Sequence, residues 1–405
     1  MLKVFTLMKT KSFFIMYSLS LVCLFSVILA GCGSSENSAV GDKKVSSGSI
    51  SGTLNVAVAG DTNMTELMTK DVNPMFQDKV SKDVKINVFG TGPGDAGSTA
   101  IYSKLKAQKD ANKDTYDIDV AIVHQSVMDK LIDEDLVEKW LPLVENKGNV
   151  VSEDAKNSLG KNVDGYVAPL FHSQVAIAYN SEKINKPFTS FAELENWIKA
   201  NPNKFGYNGI KNGASGVGFV TGYTYYKTGD YDKLIKGSFD HNLETKWPAV
   251  MAELKGLPVT YTNGNNGTLD MLNRGEIDAG PVWVDMFNTW LAQGRINKNV
   301  QLCLPSPGLP GQPMYVVIIK KAANRDAALA LANFLISKEV QSSVIVEKYN
   351  WYPGIDSNVV MDVVSDKAKQ NLFKNITADV LNKNAQLFPL DQYFKDLKDT
   401  YEDTK

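Results

Sequence analysis

Three apolar runs lie between residues 54 and 123: Leu54-Asn55-Val56-Ala57-Val58-Ala59, Val84-Lys85-Ile86-Asn87-Val88-Phe89 and Ile118-Asp119-Val120-Ala121-Ile122-Val123. Each run is short and rich in Val and Ile, which is typical of a buried β-strand. The runs begin 30 and 34 residues apart, and helix-like segments at Met64–Asp78 and Ser98–Asp110 separate them. A strand–helix–strand repeat of this length predicts parallel strands joined by right-handed crossovers. The sequence therefore predicts an α/β fold.

The same kind of pattern continues towards the C-terminus. Further apolar runs predict strands, and an Ala- and Leu-rich segment predicts a helix at Ala327–Ile336. The additional strands are expected at Val167–Leu170, Val175–Tyr179, Ile277–Val284 and Met314–Ile319.

A helix start and a long loop are predicted in the middle of the chain. Ser190-Phe191-Ala192-Glu193 has the spacing of a capping box, which predicts a helix through Ile198. Residues 201–218 are rich in Gly and Asn and predict a long loop. Long loops in compact domains commonly carry function.

The composition is that of an ordinary globular protein. The chain has 405 residues, of which 43% are hydrophobic and 22% charged, and this excludes collagen-like and wholly disordered classes. Its length predicts two to three domains. It contains 43 Lys and Arg against 45 Asp and Glu, so no basic excess favours nucleic-acid binding as the main activity.

The N-terminal segment has the pattern of an export signal. Lys3, Lys9 and Lys11 are its only charges, and the uncharged stretch 12–31 follows them. A positive start, an apolar stretch and small residues before a cleavage site are typical of a signal peptide, here residues 1–31. Leu29-Ala30-Gly31-Cys32 resembles the lipobox of bacterial lipoproteins, in which the Cys32 thiol is acylated. The alternative is a retained membrane helix, because the stretch is long enough to span a bilayer.

The cysteines and the following residues agree with a lipoprotein. Cys23 would leave with the signal and Cys32 would carry the lipid, so Cys303 remains alone and forms no intramolecular disulfide. Residues 32–50 are rich in Ser, Gly, Lys and Asn and predict a flexible tether. Loss of the three signal lysines leaves 40 basic and 45 acidic residues, so the mature protein is mildly acidic.

One motif has the form G-x-G-x-x-G, namely Gly92-Pro93-Gly94-Asp95-Ala96-Gly97. A dinucleotide site is disfavoured because the motif follows the second strand rather than the first and Pro93 lacks a backbone donor. Nicotinamide cofactors are also scarce outside the cell. Two interpretations stay open: a purely structural tight turn, or a loop whose N–H groups bind a polar or anionic group of a solute.

The patterns of catalytic and metal sites are missing from the sequence. His124, His172 and His241 have no metal-ligand spacing, and Gly213-Ala214-Ser215-Gly216 lacks the register of a nucleophile elbow. The sequence therefore predicts no enzyme, no metal site and no cofactor.

Polar and aromatic residues instead gather where predicted strands end. In an open α/β sheet, ligands bind outside the carboxyl ends of the strands, so residues at several such ends can converge on one cleft. Asn63 is also a candidate N-cap, because it lies three residues before Glu66. The segments that follow or end strands are Gly60-Asp61-Thr62-Asn63, His124-Gln125-Ser126 and Trp283-Val284-Asp285; Phe171-His172-Ser173 lies between two strand-like runs, and Trp351-Tyr352-Pro353 lies in a late loop.

A series of segments, in order along most of residues 51–360, resembles the bacterial extracellular solute-binding proteins of ABC importers. The last of them is the most specific, because Phe334-Leu335-Ile336-Ser337-Lys338-Glu339-Val340-Gln341 ends an Ala-rich helix as F-L-x-S-x-E-x-Q often does in that family. The segments are Thr53–Asp61, Val72–Phe76, Tyr116–Val120, Pro187–Leu194, Leu272–Trp283 and Ala327–Gln341.

This resemblance implies the two-lobed periplasmic-binding-protein fold, in which each lobe is a mostly parallel sheet flanked by helices. Lobe one would comprise 51–172 and 312–350 and lobe two 173–311, with C-terminal helices in 351–405 packing on the lobes. The chain would cross between lobes near His172–Ala178 and Gln312–Val317, and solute would bind in the cleft. The implied ligand-binding positions are Asp61, Thr62, Asn63, Thr91, Asp95, Ser98, His124, Gln125, His172, Tyr223, Trp283, Trp351 and Tyr352.

The resemblance also implies partners and a location. The protein would be a monomer on the outer face of the bacterial cell membrane, held there by the lipid on Cys32. It would bind a small-molecule solute and deliver it to ABC permease subunits whose cytoplasmic ATPases power import. Two alternatives stay open: a thiaminase-like enzyme of similar fold, for which only Cys303 could be the nucleophile, and a sensor that presents solute to a receptor.

The sequence leaves the solute class open. Trp283, Trp351 and Tyr352 suit a sugar face or, by cation–π attraction, an organic cation. Asp61 and Asp95 would pair with such a cation, whereas residues 92–98 could hold an anion. An organic cation or a carbohydrate ranks ahead of an oxyanion.

Overall fold

The structure is a computed structural model that describes residues 50–211 and 213–405. The predicted signal 1–31, Cys32 and nearly all of the predicted tether lie outside the described residues.

Short and long strands alternate with helices along the whole described chain. The strands are β1 Gly52–Val58, β2 Val84–Gly90, β3 Val120–His124, β4 Asn157–Ser158, β5 Lys161–Asn162, β6 Ala168–Asn180, β7 Gly206–Tyr207, β8 Thr260–Tyr261, β9 Ala279–Trp283, β10 Val300–Cys303, β11 Leu309–Ile318, β12 Tyr352–Pro353 and β13 Ala385–Gln386.

Helices separate most of these strands, and two π-helical segments, Leu67–Val72 and Val340–Val346, adjoin them. The α-helices are α1 Thr62–Glu66, α2 Asn73–Lys79, α3 Gly94–Asp110, α4 Met128–Asp133, α5 Phe191–Ala200, α6 Ala214–Thr228, α7 Tyr231–Leu234, α8 Trp247–Lys255, α9 Gly264–Arg274, α10 Val284–Ala292, α11 Arg325–Leu335, α12 Ser357–Met361, α13 Asp366–Leu372, α14 Ala378–Asn384 and α15 Asp391–Asp403.

The main sheet has nine strands, with the order β10-β6-β11-β3-β1-β2 along its path. β1 pairs in parallel with both β2 and β3, which confirms the α/β prediction from the first three apolar runs. β11 lies antiparallel between β3 and β6. At the other end of the sheet, β9 and β10 both pair antiparallel with the second half of β6.

Side chains of β1 pack on both faces of the sheet, because successive residues of a strand point to opposite sides. Leu54, Val56 and Val58 belong to one buried cluster, together with residues of the helical segment 62–79. Ala57 and Ala59 belong to a second cluster that includes Ile101 and Leu105 of α3. Both faces of the sheet are therefore covered by helices, as the continuous apolar runs indicated.

The sequence prediction of two strands at 167–170 and 175–179 was wrong, because β6 continues from Ala168 to Asn180. Phe171, His172 and Ser173 stay in the strand since β11 pairs with all three. The buried His172 imidazole also finds a carboxylate partner in Asp154 at 2.8 Å. A polar residue in this strand therefore does not require a turn.

The predicted loop at 201–218 is shorter than expected, because α6 begins at Ala214. The glycines that suggested a loop instead permit close packing of this helix. A Cβ atom on Gly218 would lie 2.6 Å from Val175 Cγ2, and one on Gly222 would lie 2.6 Å from Leu309 Cδ2. These glycines thus serve tertiary contacts with β6 and β11, which outweigh their low helix propensity.

Within the described residues, no single helix has the length and apolar character needed to cross a membrane; one pair bent by 49°, Arg325–Leu335 with Lys338–Val346, meets that requirement only when its two helices are combined.

Candidate functional site

A cavity of about 890 Å³, counting the part open to solvent, lies where β1, β3 and β9 end and beside the middle of β6 and β11. It is lined by Gly60, Asp61, Asn63, Met64, Pro93, Gly94, His124, Phe171, Ser173, Gly213, Ala214, Asn263, Gly264, Asn265, Asn266, Trp283, Asp285, Met286, Gln312 and Met314.

Asp285 is an acidic group of this wall, placed in the first turn of α10 directly after β9. Asn63 Nδ2 donates a hydrogen bond to its Oδ2 at 3.0 Å, and Ser173 Oγ donates to its Oδ1. Burial raises the pKa of Asp285, although the hydrogen bonds from Ser173 and Asn63 oppose that shift. The carboxylate is thus held in one orientation by two neutral donors and has no cationic partner among the described lining residues.

Asp61 is the second carboxylate and immediately precedes α1. Burial, and then the negative charge of Asp285, raise its pKa from its ordinary value near 3.8 to about 6. Asn266 Nδ2 lies 3.4 Å from Asp61 Oδ1, at the limit of a hydrogen bond. Because the charge of Asp285 disfavours ionisation of Asp61, a positive charge placed near both carboxylates would be stabilised by them.

His124 contributes no positive charge to the cavity at neutral pH. It ends β3, and its backbone N–H donates to Ser98 Oγ at 2.9 Å, while its Nδ1 lies 3.1 Å from the same oxygen. Burial lowers the pKa of His124 more than the charge of Asp95 raises it. With no Lys or Arg among the described lining residues, the cavity wall carries net negative charge.

Trp283 and Asn265 form another part of the wall. Trp283 ends β9, is only 8% exposed and lines the cavity. Its backbone N–H donates to Asn265 Oδ1 at 3.1 Å, which fixes the orientation of the asparagine side chain. Asn265 Nδ2 is buried and has no hydrogen-bond partner among residues 50–211 and 213–405. The cavity therefore presents an aromatic ring and a free amide donor beside its carboxylates.

Residues 79–371 match the model of the family described as bacterial extracellular solute-binding protein. The matched segment is more than half of the chain. This chain belongs to that family. The family resemblance found in the sequence is confirmed, and the cavity described above is the candidate solute site of this solute-binding protein.

Solved structures of similar fold agree with this assignment. The spermidine/putrescine ABC transporter substrate-binding protein PotD from Streptococcus pneumoniae is 16% identical, with a TM-score of 0.64 over 87% of this chain and 99% of that one. The Atu4243–GABA receptor is 18% identical, with a TM-score of 0.60 over 87% and 96%. An ABC transporter structure from Clostridium perfringens is 18% identical, with a TM-score of 0.59 over 87% and 99%. A comparison with curated proteins finds no significant match.

Four of the predicted binding residues of this solute-binding protein line the cavity: Asp61, Asn63, His124 and Trp283. Asn63 is not an N-cap, since it lies inside α1 and its side chain bonds to Asp285. Residues from several predicted strand ends therefore meet at one cavity, as expected, but only these four of the predicted residues do so.

Five other predicted residues lie near the cavity without lining it. Thr62 is exposed, and Gln125 is buried behind His124. Thr91 Oγ1 donates to Gly97 O at 2.9 Å and closes the glycine-rich loop. Ser98 supports His124, and Asp95 accepts a hydrogen bond from Ser126 Oγ at 2.7 Å.

The remaining four predicted residues, His172, Tyr223, Trp351 and Tyr352, are buried away from the cavity. His172 Nε2 lies 2.8 Å from Asp154 Oδ2. Burial raises the pKa of Asp154, but the His172 imidazole lowers it by a larger amount, so the net shift of the pKa is downward. These four residues belong to the core, because each has apolar or polar partners from distant segments that the local sequence does not reveal.

Several lining residues were not among the predicted binding positions. The signal for Asp285 was its place two residues after Trp283, and the signal for Asn263, Asn265 and Asn266 was an Asn- and Gly-rich stretch before a helix. Ser173 was expected in a break between two strands, but it lies on the continuous strand β6, and Gln312 lies on β11. Among the described residues, no group of three His, Cys, Asp or Glu side chains is arranged to hold a metal ion.

Proposed function

We propose that this chain is the solute-binding component of an ABC importer and that its solute carries a positively charged organic group. The observation that carries the proposal is the pair of carboxylates, Asp61 and Asp285, in a cavity whose described lining has no Lys or Arg. Burial raises the pKa of both carboxylates, and the charge of Asp285 raises that of Asp61 further, so an organic ammonium group between them would favour the ionised form of each. The Trp283 ring adds a face suited to cation–π attraction.

The two-lobed arrangement remains part of this proposal, with lobe one at 51–172 and 312–350 and lobe two at 173–311. Asp61, Asn63 and His124 then belong to lobe one, and Ser173 and Asp285 to lobe two. The hydrogen bond from Asn63 to Asp285 would join the lobes only when the cleft is closed. Closure brings the two carboxylates together, so a cationic solute stabilises the closed form by its differential affinity for it.

The cavity suits a cationic solute better than a carbohydrate. A sugar would use the Trp283 ring but would leave two neighbouring carboxylates without charge compensation. Two of the similar structures add support, because spermidine, putrescine and GABA, the compounds in their names, all carry amino groups. Delivery of the bound solute would require permease subunits with ATPases, as the resemblance implied.

A thermal-shift screen over chemical classes tests the proposal. The purified protein without residues 1–31 is heated with amines, sugars, carboxylates and inorganic oxyanions at pH 7.5. We expect at least one organic ammonium compound to raise the melting temperature, because ligand at 100 times its dissociation constant adds about 2.7 kcal/mol to the free energy of unfolding. Stabilisation by sugars alone, or by inorganic oxyanions alone, would contradict the cation assignment.

We propose further that the exported protein is anchored by a lipid on Cys32. Cys32 is the only cysteine in the lipobox-like sequence, and it directly follows small residues. The Cys32→Ser variant should therefore appear in the soluble fraction, with Cys303→Ser as the matched control that stays with the membrane. Retention of Cys32→Ser in membranes after an alkaline wash would mean that residues 12–31 form a membrane helix instead.

The thiaminase-like alternative has weak support from the surroundings of Cys303. This residue is buried in β10 and is not among the lining residues of the cavity. Burial raises the pKa of its thiol to about 12, which disfavours the thiolate that a nucleophile requires. Neighbouring genes would separate importer from sensor, because permease and ATPase genes favour import and a receptor kinase gene favours sensing.

A further inference from the structure

Several helices begin at the cavity without a side-chain cap. α3, α6 and α9 start at lining residues, and α10 starts directly after the lining residue Trp283. In the described chain, the residue before each of these helices makes no capping hydrogen bond from its side chain. Caps do occur elsewhere in this chain: the Ser365 side chain caps α13, for example. The first N–H groups of a helix have no partner within the helix, and they carry partial positive charge.

Three of these helix starts, those of α3, α6 and α9, lie against one another. A Cβ atom on Gly94 would lie 3.8 Å from the backbone nitrogen of Ala214, which places the start of α3 beside that of α6. A Cβ atom on Gly213 would lie 3.1 Å from the backbone nitrogen of Asn265, so α6 and α9 also begin side by side. The cavity thus has a donor-rich region formed by three helices of 17, 15 and 11 residues.

The Asn265 side chain provides an independent sign of a ligand in this region. It is 5% exposed and lines the cavity. Its Oδ1 already accepts from Trp283 N–H, which leaves Nδ2 as a buried donor without a partner among the described residues. A buried donor without a partner destabilises the protein, and an anionic ligand group would remove that cost.

The negatively charged acceptors of the cavity belong to a different set of side chains. Besides the two carboxylates, Asn63 Oδ1 is buried and has no partner among the described residues, because the Nδ2 of the same amide is bonded to Asp285. Asn266 Oδ1, near the start of α9, is a further buried acceptor without a described partner. Both carboxylates of the cavity thus lie at the starts of α1 and α10, whereas no carboxylate of the described lining lies at the starts of α3, α6 and α9.

We infer that the solute is a zwitterion: its ammonium group binds near Asp61 and Asp285, and its anionic group binds at the starts of α3, α6 and α9 with Asn265. The anionic group is a carboxylate, sulfonate or phosphate, which share the chemistry that helix N-termini recognise. This inference rests on the proposed function and adds a second charged end to the same solute.

Matched sets of ligands test the zwitterion directly by calorimetric titration. Each set has a zwitterion, its amine and its anion: 4-aminobutyrate with n-butylamine and butyrate, taurine with ethylamine and ethanesulfonate, and O-phosphoethanolamine with ethylamine and ethyl phosphate. In at least one set the zwitterion should bind about 10- to 100-fold more tightly than either the amine or the anion of that set. If no zwitterion binds more tightly than its amine, the inference is overturned, while binding of the amines still supports the proposed function. If the anions bind as tightly as the zwitterions, the cation proposal fails as well.

The Asn265→Asp variant tests the location of the anionic end. The new carboxylate keeps the acceptor for Trp283 N–H but replaces the free donor with negative charge. The zwitterion should lose about tenfold or more in affinity, whereas the affinity for its amine should not fall, which also shows that the variant is folded. Asn273→Asp is the matched control, because Asn273 lies on the same helix outside the cavity lining and its Oδ1 likewise accepts a backbone N–H, from Asn297 at 2.9 Å. Equal losses for zwitterion and amine in Asn265→Asp, or no loss for either, would contradict the inference.

Discussion

Trp283 and Trp351 were both expected to contact solute, but they have different positions in the molecule. Trp283 follows an apolar strand, and Trp351 was expected in a late loop. Trp283 lines the cavity, whereas Trp351 is 1% exposed and packs between Phe171 and Tyr349, with ring centroids 4.5 and 4.7 Å away. Its Nε1 donates to the backbone oxygen of Asp285 at 2.9 Å. The difference depends on partners up to 180 residues away, so no local pattern could reveal it.

Truncation of the two tryptophans should therefore change different quantities. Trp351→Ala should lower the free energy of unfolding by about 3–5 kcal/mol, because it leaves a cavity in the core. Trp283→Ala should weaken binding of the best amine ligand by about 5- to 150-fold, with a smaller loss of stability, because its ring faces the cavity. Chemical denaturation and calorimetric titration of both variants measure these quantities. A large stability loss with unchanged affinity in Trp283→Ala would assign Trp283 to the core.

The raised pKa of Asp61 predicts a pH dependence opposite to that of a salt-bridged carboxylate. The folded protein holds a proton on Asp61 up to a pKa of about 6, whereas the unfolded chain releases it near 3.8. The contribution of Asp61 to the free energy of unfolding is therefore lost as pH rises from about 4 to about 6.

A comparison of melting temperatures isolates this contribution. Asp61→Asn should gain stability relative to the unmodified protein as pH rises from 4.5 to 7. The lowered pKa of His124 makes stability fall below about pH 6.5, but this effect is common to both proteins and cancels in the difference. Affinity for a permanently charged amine should also rise over the same pH range. A difference in melting temperature that does not vary with pH would show that Asp61 is ionised throughout.

Among the elements, those with a strong local signal were the predictable ones. The three apolar runs became β1, β2 and β3 with parallel pairing, and the capping box at Ser190 is present, since its side chain accepts from Glu193 N–H. The continuous strand β6 and the early start of α6 were not predictable, because both depend on packing between distant segments. Gly218 and Gly222 look like loop residues until their contacts with β6 and β11 are known.

The glycine-rich loop 92–97 is an element whose role the sequence left open. Gly92 O accepts a hydrogen bond from Gly60 N–H at 2.9 Å, which ties the loop to the end of β1. A Cβ atom on Gly97 would lie 2.0 Å from Gly92 O, so only glycine fits there. Pro93 and Gly94 line the cavity, so the loop is both a tight turn and part of the candidate site.

Gly97→Ala should consequently destabilise the protein and weaken solute binding together. The expected loss is about 1–3 kcal/mol in the free energy of unfolding, as for overpacked positions, because backbone must move. Gly148→Ala is the control, since a Cβ atom there meets nothing within 4 Å and should change stability by less than about 0.5 kcal/mol. Equal stability of the two variants in urea denaturation would show that the loop tolerates a wider turn.

The charge of the cavity could not be predicted from the overall composition of the chain. The chain is close to neutral overall, with formal net charge −2, yet the cavity wall combines Asp61 and Asp285 without a described Lys or Arg. These two carboxylates are more than 200 residues apart in sequence, and only the folded chain places them close enough to shift the pKa of Asp61. The sequence predicted that residues at strand ends would meet. Whether the charge of the resulting site is positive or negative depends on which of these residues line it.

Calorimetric titration of Asp285→Asn shows whether Asp285 binds the positively charged group of the solute. The ligand is the amine that stabilises the unmodified protein most in the thermal-shift screen, and exposed Asp270→Asn on α9 is the matched control. We expect Asp285→Asn to lose about 30-fold or more in affinity, because a buried charge pair is broken. Its unliganded melting temperature should be equal or higher, because a buried carboxylate without a cation is removed, and Asp270→Asn should bind normally. Unchanged affinity in Asp285→Asn would mean that Asp285 does not bind the positively charged group of the solute.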